Sequence, residues 1–308
     1  MRETDAHVAI LLATHDGARY IDEQLASVAA QSHRNWSLWI SDDGSSDTTV
    51  DRIVAFRGAH PDCVMHLRRG PQRGATANFL SLLCDPGVHA DYVAFCDQDD
   101  VWLPGKLARA LDMIAACDGP ALYGARTILT DAQLRVTGLS PDFRKPPCFS
   151  NALVQNLAGG NTMVMNAAAR DLIMRAGQQV APVCHDWWAY QIVTGAGGRF
   201  VFDRRPALLY RQHGGNLIGA NSGTRARLSR LRALWRGVFR DWNGRNLVAL
   251  RASAQLLRDD HRETLARFEA LRRTTGPRAL GLLAGTGLTR QTRAGGLALR
   301  LAAVTGRL

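Results

Sequence analysis

Asp97, Asp99 and Asp100 crowd three carboxylates into four positions. Without a counter-cation such groups repel one another, and a hard divalent ion bound through oxygen ligands relieves the repulsion. Mg2+ or Mn2+ is the expected ion, because both keep coordination positions open for substrate phosphates. In isolation, D-x-D-D is more often a solvated acidic turn that caps a helix. Two further polar clusters change that balance. Asp42 and Asp43 open the turn Asp-Asp-Gly-Ser-Ser-Asp, which can present carboxylates and backbone groups to a nucleoside, and Thr14, His15 and Asp16 follow an apolar run. Three polar clusters of this kind favour a nucleotide pocket over three unrelated turns.

The segments before these clusters read as strands. His7 to Thr14 is a continuous apolar run that breaks at His15-Asp16-Gly17, and Tyr20 to Gln31 follows with Ile21, Leu25, Val28 and Ala29 at helical spacing. The unit repeats. Trp36 to Ser41 is a strand before a helix that Asp47 caps, Cys63 to Leu67 a strand before the helix Ala75 to Leu83, and Tyr92 to Cys96 a strand that ends at the acidic triplet. Alternating strands and helices imply an α/β fold whose mostly parallel sheet carries helices on both faces, with ligands at the carboxyl ends of the strands. Between Ala121 and Gly214 the pattern loosens into short strands (Leu122 to Leu129, Thr162 to Asn166, Arg199 to Phe202, Ala207 to Tyr210) and two helices (Ala167 to Ala176, Asp186 to Val193) that complete the sheet and wall a cleft.

The 308 residues, 46% hydrophobic and 21% charged, suit one ordinary globular domain with an appendage and exclude disorder, collagen and coiled coil. The longest uncharged stretch, Cys148 to Ala169, holds too many polar residues to span a bilayer. With no basic leader before the first strand, a cytoplasmic protein is expected. The six cysteines are scattered singly and read as reduced, mostly buried hydrophobes. The net charge of +11 lies in the tail: from Arg225 onward there are 18 arginines and five acids, a net +13, which leaves −2 for the preceding residues.

The run AILLATHDGARYIDEQLASVAAQSHRNWSLWISDDGSSDTT, followed in order by FCDQDDVWLPGKL, GGNTMVMN, HDWWAYQIV and YRQHGGNLIG, resembles the family 2 glycosyltransferases of GT-A fold. Within them it is most similar to the rhamnosyltransferase-type enzymes of bacterial surface-polysaccharide synthesis. The resemblance covers about residues 7 to 220. It implies a Rossmann-like nucleotide-diphospho-sugar transferase that is metal-dependent and inverting, moving L-rhamnose from dTDP-rhamnose onto a lipid-linked or polysaccharide acceptor. Donors with UDP or GDP are the alternative within the family.

By the same resemblance Thr14, His15, Asp16, Asp42, Asp43 and Asp97 would bind the nucleotide, and Asp97 and Asp99 would be metal ligands with His213 completing the shell. Asp186 would be the general base that takes the acceptor hydroxyl proton. Asp100, Gly160, Asn161, His185, Trp187 and Arg211 would face the diphosphate or the acceptor. Position 185 departs from the commoner acid of the family, and His185 reads either as part of the base machinery or as a histidine that begins a helix. One of Trp102, Trp187 and Trp188 would offer a face for sugar stacking.

A boundary near residue 222 would separate a catalytic domain (1–222) from a basic helical region (223–308). Arg225 to Arg240 has Leu228, Leu231, Trp235, Val238 and Phe239 on one side and arginines on the other. The last segment places Leu297, Leu301, Val304 and Leu308 on a stripe rimmed by Arg293, Arg300 and Arg307. Such helices suit an anionic membrane surface, or else pack on the domain and show arginine to water. Nucleic acid is not expected beside an acidic cleft. A nucleotidyltransferase would want a Gly-rich, cationic loop after the first strand, where THDGARYIDEQ has Arg19 alone. A processive synthase would want membrane spans and Q-x-x-R-W. A scaffold without activity would not need Asp97, Asp99 and Asp186 together.

Overall fold

A computed structural model of the chain describes residues 5–214 and 236–308. Most of the helix expected from Arg225 to Arg240, and the boundary near 222, lie outside the described residues. Nine strands form a mixed sheet in the order β3-β2-β1-β4-β8-β6-β9-β5, with β7 paired to β6. The strands are β1 (Val8–Thr14), β2 (Trp36–Asp42), β3 (Val64–Arg69), β4 (Tyr92–Cys96), β5 (Val101–Trp102), β6 (Ala121–Thr130), β7 (Val136–Leu139), β8 (Val164–Asn166) and β9 (Arg199–Arg211). Strands β3, β2, β1 and β4 are parallel to one another, β8 runs antiparallel to β4 and β6, and β6 and β9 are parallel. The two short strands expected between 199 and 210 are one long strand whose register against β6 shifts around Ala125 and Arg126.

Alternation along β1 shows why its run is unbroken by polar residues. Val8, Ile10 and Leu12 enter an apolar cluster with Ile21, Leu25 and Val28 of α1 (Ile21–Ala29), Ile53 of α2 (Thr49–Ala59) and Leu107 and Leu111 of α4 (Lys106–Ile114). Ala9 and Leu11 enter the opposite cluster with Phe79 and Leu82 of α3 (Ala75–Leu83), Ile173 of α6 (Ala167–Ala176) and Trp188 of α7 (His185–Gly195). A parallel strand covered on both faces needs apolar side chains at every position. Helix α6 starts where the Asn166 side chain accepts the Ala169 N–H (3.0 Å) and stops at Gly177, whose φ of +83° suits glycine. A single helical turn, α5 (Phe149–Ala152), precedes them.

Four helices follow residue 236: α8 (Val238–Ala252), α9 (Asp259–Arg272), α10 (Pro277–Thr286) and α11 (Arg293–Val304). Leu247, Leu250, Phe268, Leu271, Leu283 and Leu299 join the same apolar cluster as Phe149 and Trp188, so these helices pack on the α3/α7 face of the sheet. The terminal stripe divides. Leu308 is buried in this cluster while Leu297 and Leu301 are exposed, which corrects the single stripe expected from the spacing. The six cysteines are free, but only Cys96 is fully buried and Cys148 is exposed. No helix among the described residues is long and apolar enough to cross a membrane.

Candidate active site

The parallel strands β1, β2 and β4 deliver three polar loops to one end of the sheet. Thr14, the last residue of β1, donates its hydroxyl to Asp42 (2.8 Å), the last residue of β2. The same carboxylate accepts the N–H groups of Gly44 (3.1 Å) and Ser45 (2.8 Å). Asp43 accepts the N–H groups of Gln72 (2.6 Å) and Gly74 (2.8 Å), so the loop from Gly70 to Gly74 wraps around it. Asp16 adopts a left-handed φ of +47°, and its carboxylate accepts the Ser46 N–H (2.7 Å), which holds it below the usual carboxylate range. The expected nucleotide residues therefore build two interlocked loops, and His15 stands exposed above them.

Gln98 fastens these loops to the acidic segment. Its amide exchanges two bonds with the backbone of His15, each 2.9 Å. A Cβ on Gly17 would come within 2.3 Å of Gln98 Oε1, so a side chain there would push the Gln98 amide off the His15 backbone. Neither residue was singled out from the sequence.

The three acids after β4 have different surroundings. Asp100 is fully buried and accepts Asn161 Nδ2 (2.6 Å) and the Arg211 N–H (3.3 Å). Burial and its two acidic neighbours push its carboxyl well above the ordinary range. Asp99 meets His213 Nε2 through Oδ2 (2.7 Å), and its carbonyl accepts Arg211 Nε (2.9 Å). Asp97 is raised to about 7, first by burial and then by Asp99 and Asp186. The Asp97 carboxylate receives no hydrogen bond among the described residues.

Arg211 is buried. Besides Asp99 it donates to Ala132 O (2.8 Å) and to Glu23, and it lies over the Tyr20 ring at 4.4 Å. The expected diphosphate fork is thus turned into a brace between the acidic loop, β9 and α1. Asn161, expected toward the acceptor, is buried and bonded to Asp100 in the same way. All three tryptophans are buried, so none offers the exposed face expected for sugar stacking. Trp187 donates its ring N–H to Ala152 O (2.6 Å), and Trp102 lies beneath the Lys106 ammonium, 3.0 Å from the ring centroid.

Lys106 was also not foreseen. It is buried beside Asp97, Asp100 and Cys96, its amine has no hydrogen-bond partner among the described residues, and burial lowers it to about 7 despite the two carboxyl groups. The signal was present: lysine occurs at two positions only in a chain whose other basic residues are arginines.

Across the cleft, α7 begins at His185 and carries Asp186 in its first turn. Asp186 accepts the N–H groups of Gly160 (3.1 Å) and Trp187 (2.6 Å), which fixes its carboxylate near Asp97. His185 is buried, stacked on Phe79 (3.9 Å between centroids) and edge-on to Phe95 (4.7 Å). Burial lowers it to about 4, so it is neutral near pH 7. Of its two readings, the histidine that begins a helix is the one the surroundings support, and here it is a packed, neutral ring. Gly160 is tight for a protein reason: a Cβ there would lie 2.3 Å from His185 Nε2.

Among the described residues no three His, Cys, Asp or Glu side chains converge into a closed metal cage. The donor set still fits a divalent cation. Asp97 is an unbonded carboxylate with raised affinity for positive charge, and Asp99 sits beside an imidazole. Mg2+-type sites commonly take one or two carboxylates and fill the remaining positions with water and substrate phosphates.

Residues 9–167 match the family model of glycosyl transferase family 2. The chain belongs to this family. It is 31% identical over 234 residues to the dTDP-rhamnosyl transferase RfbG of Shigella flexneri, covering 71% of this chain and 78% of that protein. It is 25% identical over 127 residues to the Escherichia coli UDP-Glc:alpha-D-GlcNAc-diphosphoundecaprenol beta-1,3-glucosyltransferase WfgD, covering 41% and 48%. Its fold is similar to that of Staphylococcus aureus TarS residues 1–349 solved with UDP-GlcNAc, with a TM-score of 0.56, 14% identity and coverage of 84% and 70%. The protein is a glycosyltransferase of GT-A fold, as the order of its motifs implies.

Proposed function

We propose that this glycosyltransferase moves L-rhamnose from dTDP-rhamnose, with inversion, onto a lipid-linked or polysaccharide acceptor in cell-surface glycan synthesis. The likeness to the Shigella protein supports the donor. One observation carries the mechanism: Asp186, on α7 and bonded to the Gly160 amide, lies close enough to Asp97, on the opposite wall, for its charge to add to the burial and the Asp99 charge that raise Asp97. A base and a cation-seeking carboxylate that share a cleft suit displacement at an anomeric carbon held between them.

In this reading Thr14, His15, Asp16, Asp42 and Asp43 shape the nucleoside site. Asp97, Asp99 and His213 would hold Mg2+ or Mn2+, which when bound neutralises charge on the departing diphosphate. Asp186 accepts the acceptor hydroxyl proton as that oxygen bonds to the anomeric carbon and the carbon–diphosphate bond breaks. The Gly160 and Trp187 amides hold the base in position. Arg211 and Asn161 keep the acidic loop rigid from behind. The enzyme would work in the cytoplasm, in peripheral contact with the membrane that carries its acceptor. The region after residue 222 would be an appendage to the catalytic unit.

Calorimetric titration with dTDP, UDP, GDP and ADP, each with and without Mn2+ or Mg2+, tests this. Metal-dependent binding that favours dTDP is expected. A preference for UDP or GDP would keep the enzyme class and discard rhamnose. Binding of none would overturn the assignment in favour of a scaffold.

A further inference from the structure

Helices α10 and α11 are apolar on two sides. Toward the protein, Ala279 and Leu283 of α10 and Leu299, Ala302 and Ala303 of α11 enter the main core. Away from it, Leu297 and Leu301 of α11 are 69% and 41% exposed, and on α10 Leu280 and Leu282, 43% and 41% exposed, flank the buried stripe on opposite sides. On α11 the outer residues Arg293, Leu297, Arg300, Leu301 and Val304 follow the spacing of one helical face. Helix α10 carries a single charge, Arg278, in ten residues. A helix that is apolar all round normally has neighbours all round, and among the described residues none covers this side.

The charge distribution identifies the neighbour. From Thr274 to Leu308 there are five arginines (Arg278, Arg290, Arg293, Arg300, Arg307) and no aspartate or glutamate. Arg278, Arg293 and Arg300 are exposed. A second copy of this face would bring like charge against like charge. An anionic bilayer would accept both features, taking the leucines at the acyl boundary and the guanidinium groups among the headgroup phosphates.

We propose that the outer face of α10 and α11 docks on an anionic lipid surface, so that the inner face of each helix holds the fold and the outer face holds the membrane. This rests on the reading that the acceptor is membrane-borne, but its test does not involve turnover. Wild-type protein is sedimented with phosphatidylcholine vesicles, with or without phosphatidylglycerol, beside Leu297→Gln/Leu301→Gln and Arg293→Gln/Arg300→Gln variants. Nucleoside diphosphate binding and thermal midpoint serve as controls on the site and the fold.

Wild type should bind the anionic vesicles, weakly at high salt, and pure phosphatidylcholine far less. Loss of two arginines should weaken binding by roughly thirtyfold, and loss of two leucines by at least about tenfold, with nucleotide binding retained. Vesicle binding equal in all three proteins, or absent in wild type, overturns the proposal. So does a leucine variant that converts a dimer to a monomer without lipid, which would assign the face to a second copy. A large fall in its thermal midpoint would assign the face to another part of this chain. Failure of nucleotide binding with intact vesicle binding would instead count against the catalytic reading.

Discussion

His213 Nε2 lies 2.7 Å from Asp99 Oδ2, and this contact joins the segment after β9 to the acidic loop after β4. The Tyr20 ring packs against the imidazole with centroids 4.9 Å apart, so the histidine is held in place from α1's side as well. If Mg2+ or Mn2+ is held here as proposed, the same two side chains would be among its ligands. His213→Ala should therefore raise the metal concentration needed for half-maximal activity by about 10- to 100-fold, with a smaller change in kcat at saturating metal. Metal titration of initial rates would show it, and an unchanged requirement would remove His213 from the shell.

Among the described residues, the Asp99 carboxylate meets one side chain, that of His213 on the segment after β9. Asp99→Ala should reduce turnover by about 10³-fold or more, the scale at which a charge-stabilising group is lost. The far-ultraviolet circular dichroism and the melting cooperativity should persist, because the structural bonds of this loop run through Asp100 and the Asp99 carbonyl. Undiminished turnover would sink the metal assignment.

The strands, their parallel order and the end of the sheet that carries the site were legible because short apolar runs such as Val8 to Thr14 alternate with segments of helical period, and a parallel sheet covered on both faces accounts for that alternation. The carboxylates were legible as types. Their division of labour was not. Nothing in D-Q-D-D says that Asp100 faces Asn161 and the β9 backbone while Asp97 stands free, since that depends on which strands neighbour β4. The resemblance implied a ligand contact for Arg211, yet contacts from Glu23 and Ala132, remote in sequence, turn it inward. His185 shows the same limit: its neutrality follows from Phe79 and Phe95, which no local spacing links to it.

Asp186 is held by two amides, with the Cys184 thiol also against its carboxylate. Asp186→Asn keeps nearly the same shape but only one acceptor oxygen for the two amides, which bond to different oxygens of the carboxylate, and it cannot take a proton. Turnover should fall by about 10²- to 10⁴-fold while affinity for the nucleoside diphosphate stays within about twofold. A parallel loss of nucleotide affinity would place Asp186 in donor binding instead.

Because burial lowers His185 to about 4, the folded protein binds fewer protons than the unfolded chain between that value and about 6.5. The stability contributed by keeping this ring neutral is complete above about 6.5 and is lost as pH falls through the window, up to about 3 kcal/mol in total. His185→Gln should flatten the acid limb of the stability curve measured by denaturant unfolding across that range. The pH dependence of kcat/KM should keep its shape, because a ring that is neutral at working pH supplies no titration there. A displaced activity limb would return His185 to the base machinery.

Gly160 connects this packing to catalysis. A methyl group there would sit 2.3 Å from His185 Nε2 and 3.3 Å from Asp186 Cβ, and His185 cannot retreat because Phe79 and Phe95 enclose it. Gly160→Ala should cost about 1–3 kcal/mol of stability, the usual scale of overpacking. Its amide is also the Asp186 donor, so kcat should fall with it. Trimming the ring separates the two effects. In the Gly160→Ala/His185→Ala pair the clash is gone, and the stability losses should be less than additive in a double-mutant cycle. Additive losses would mean that Gly160 is required for its backbone conformation and not for the space it leaves to His185.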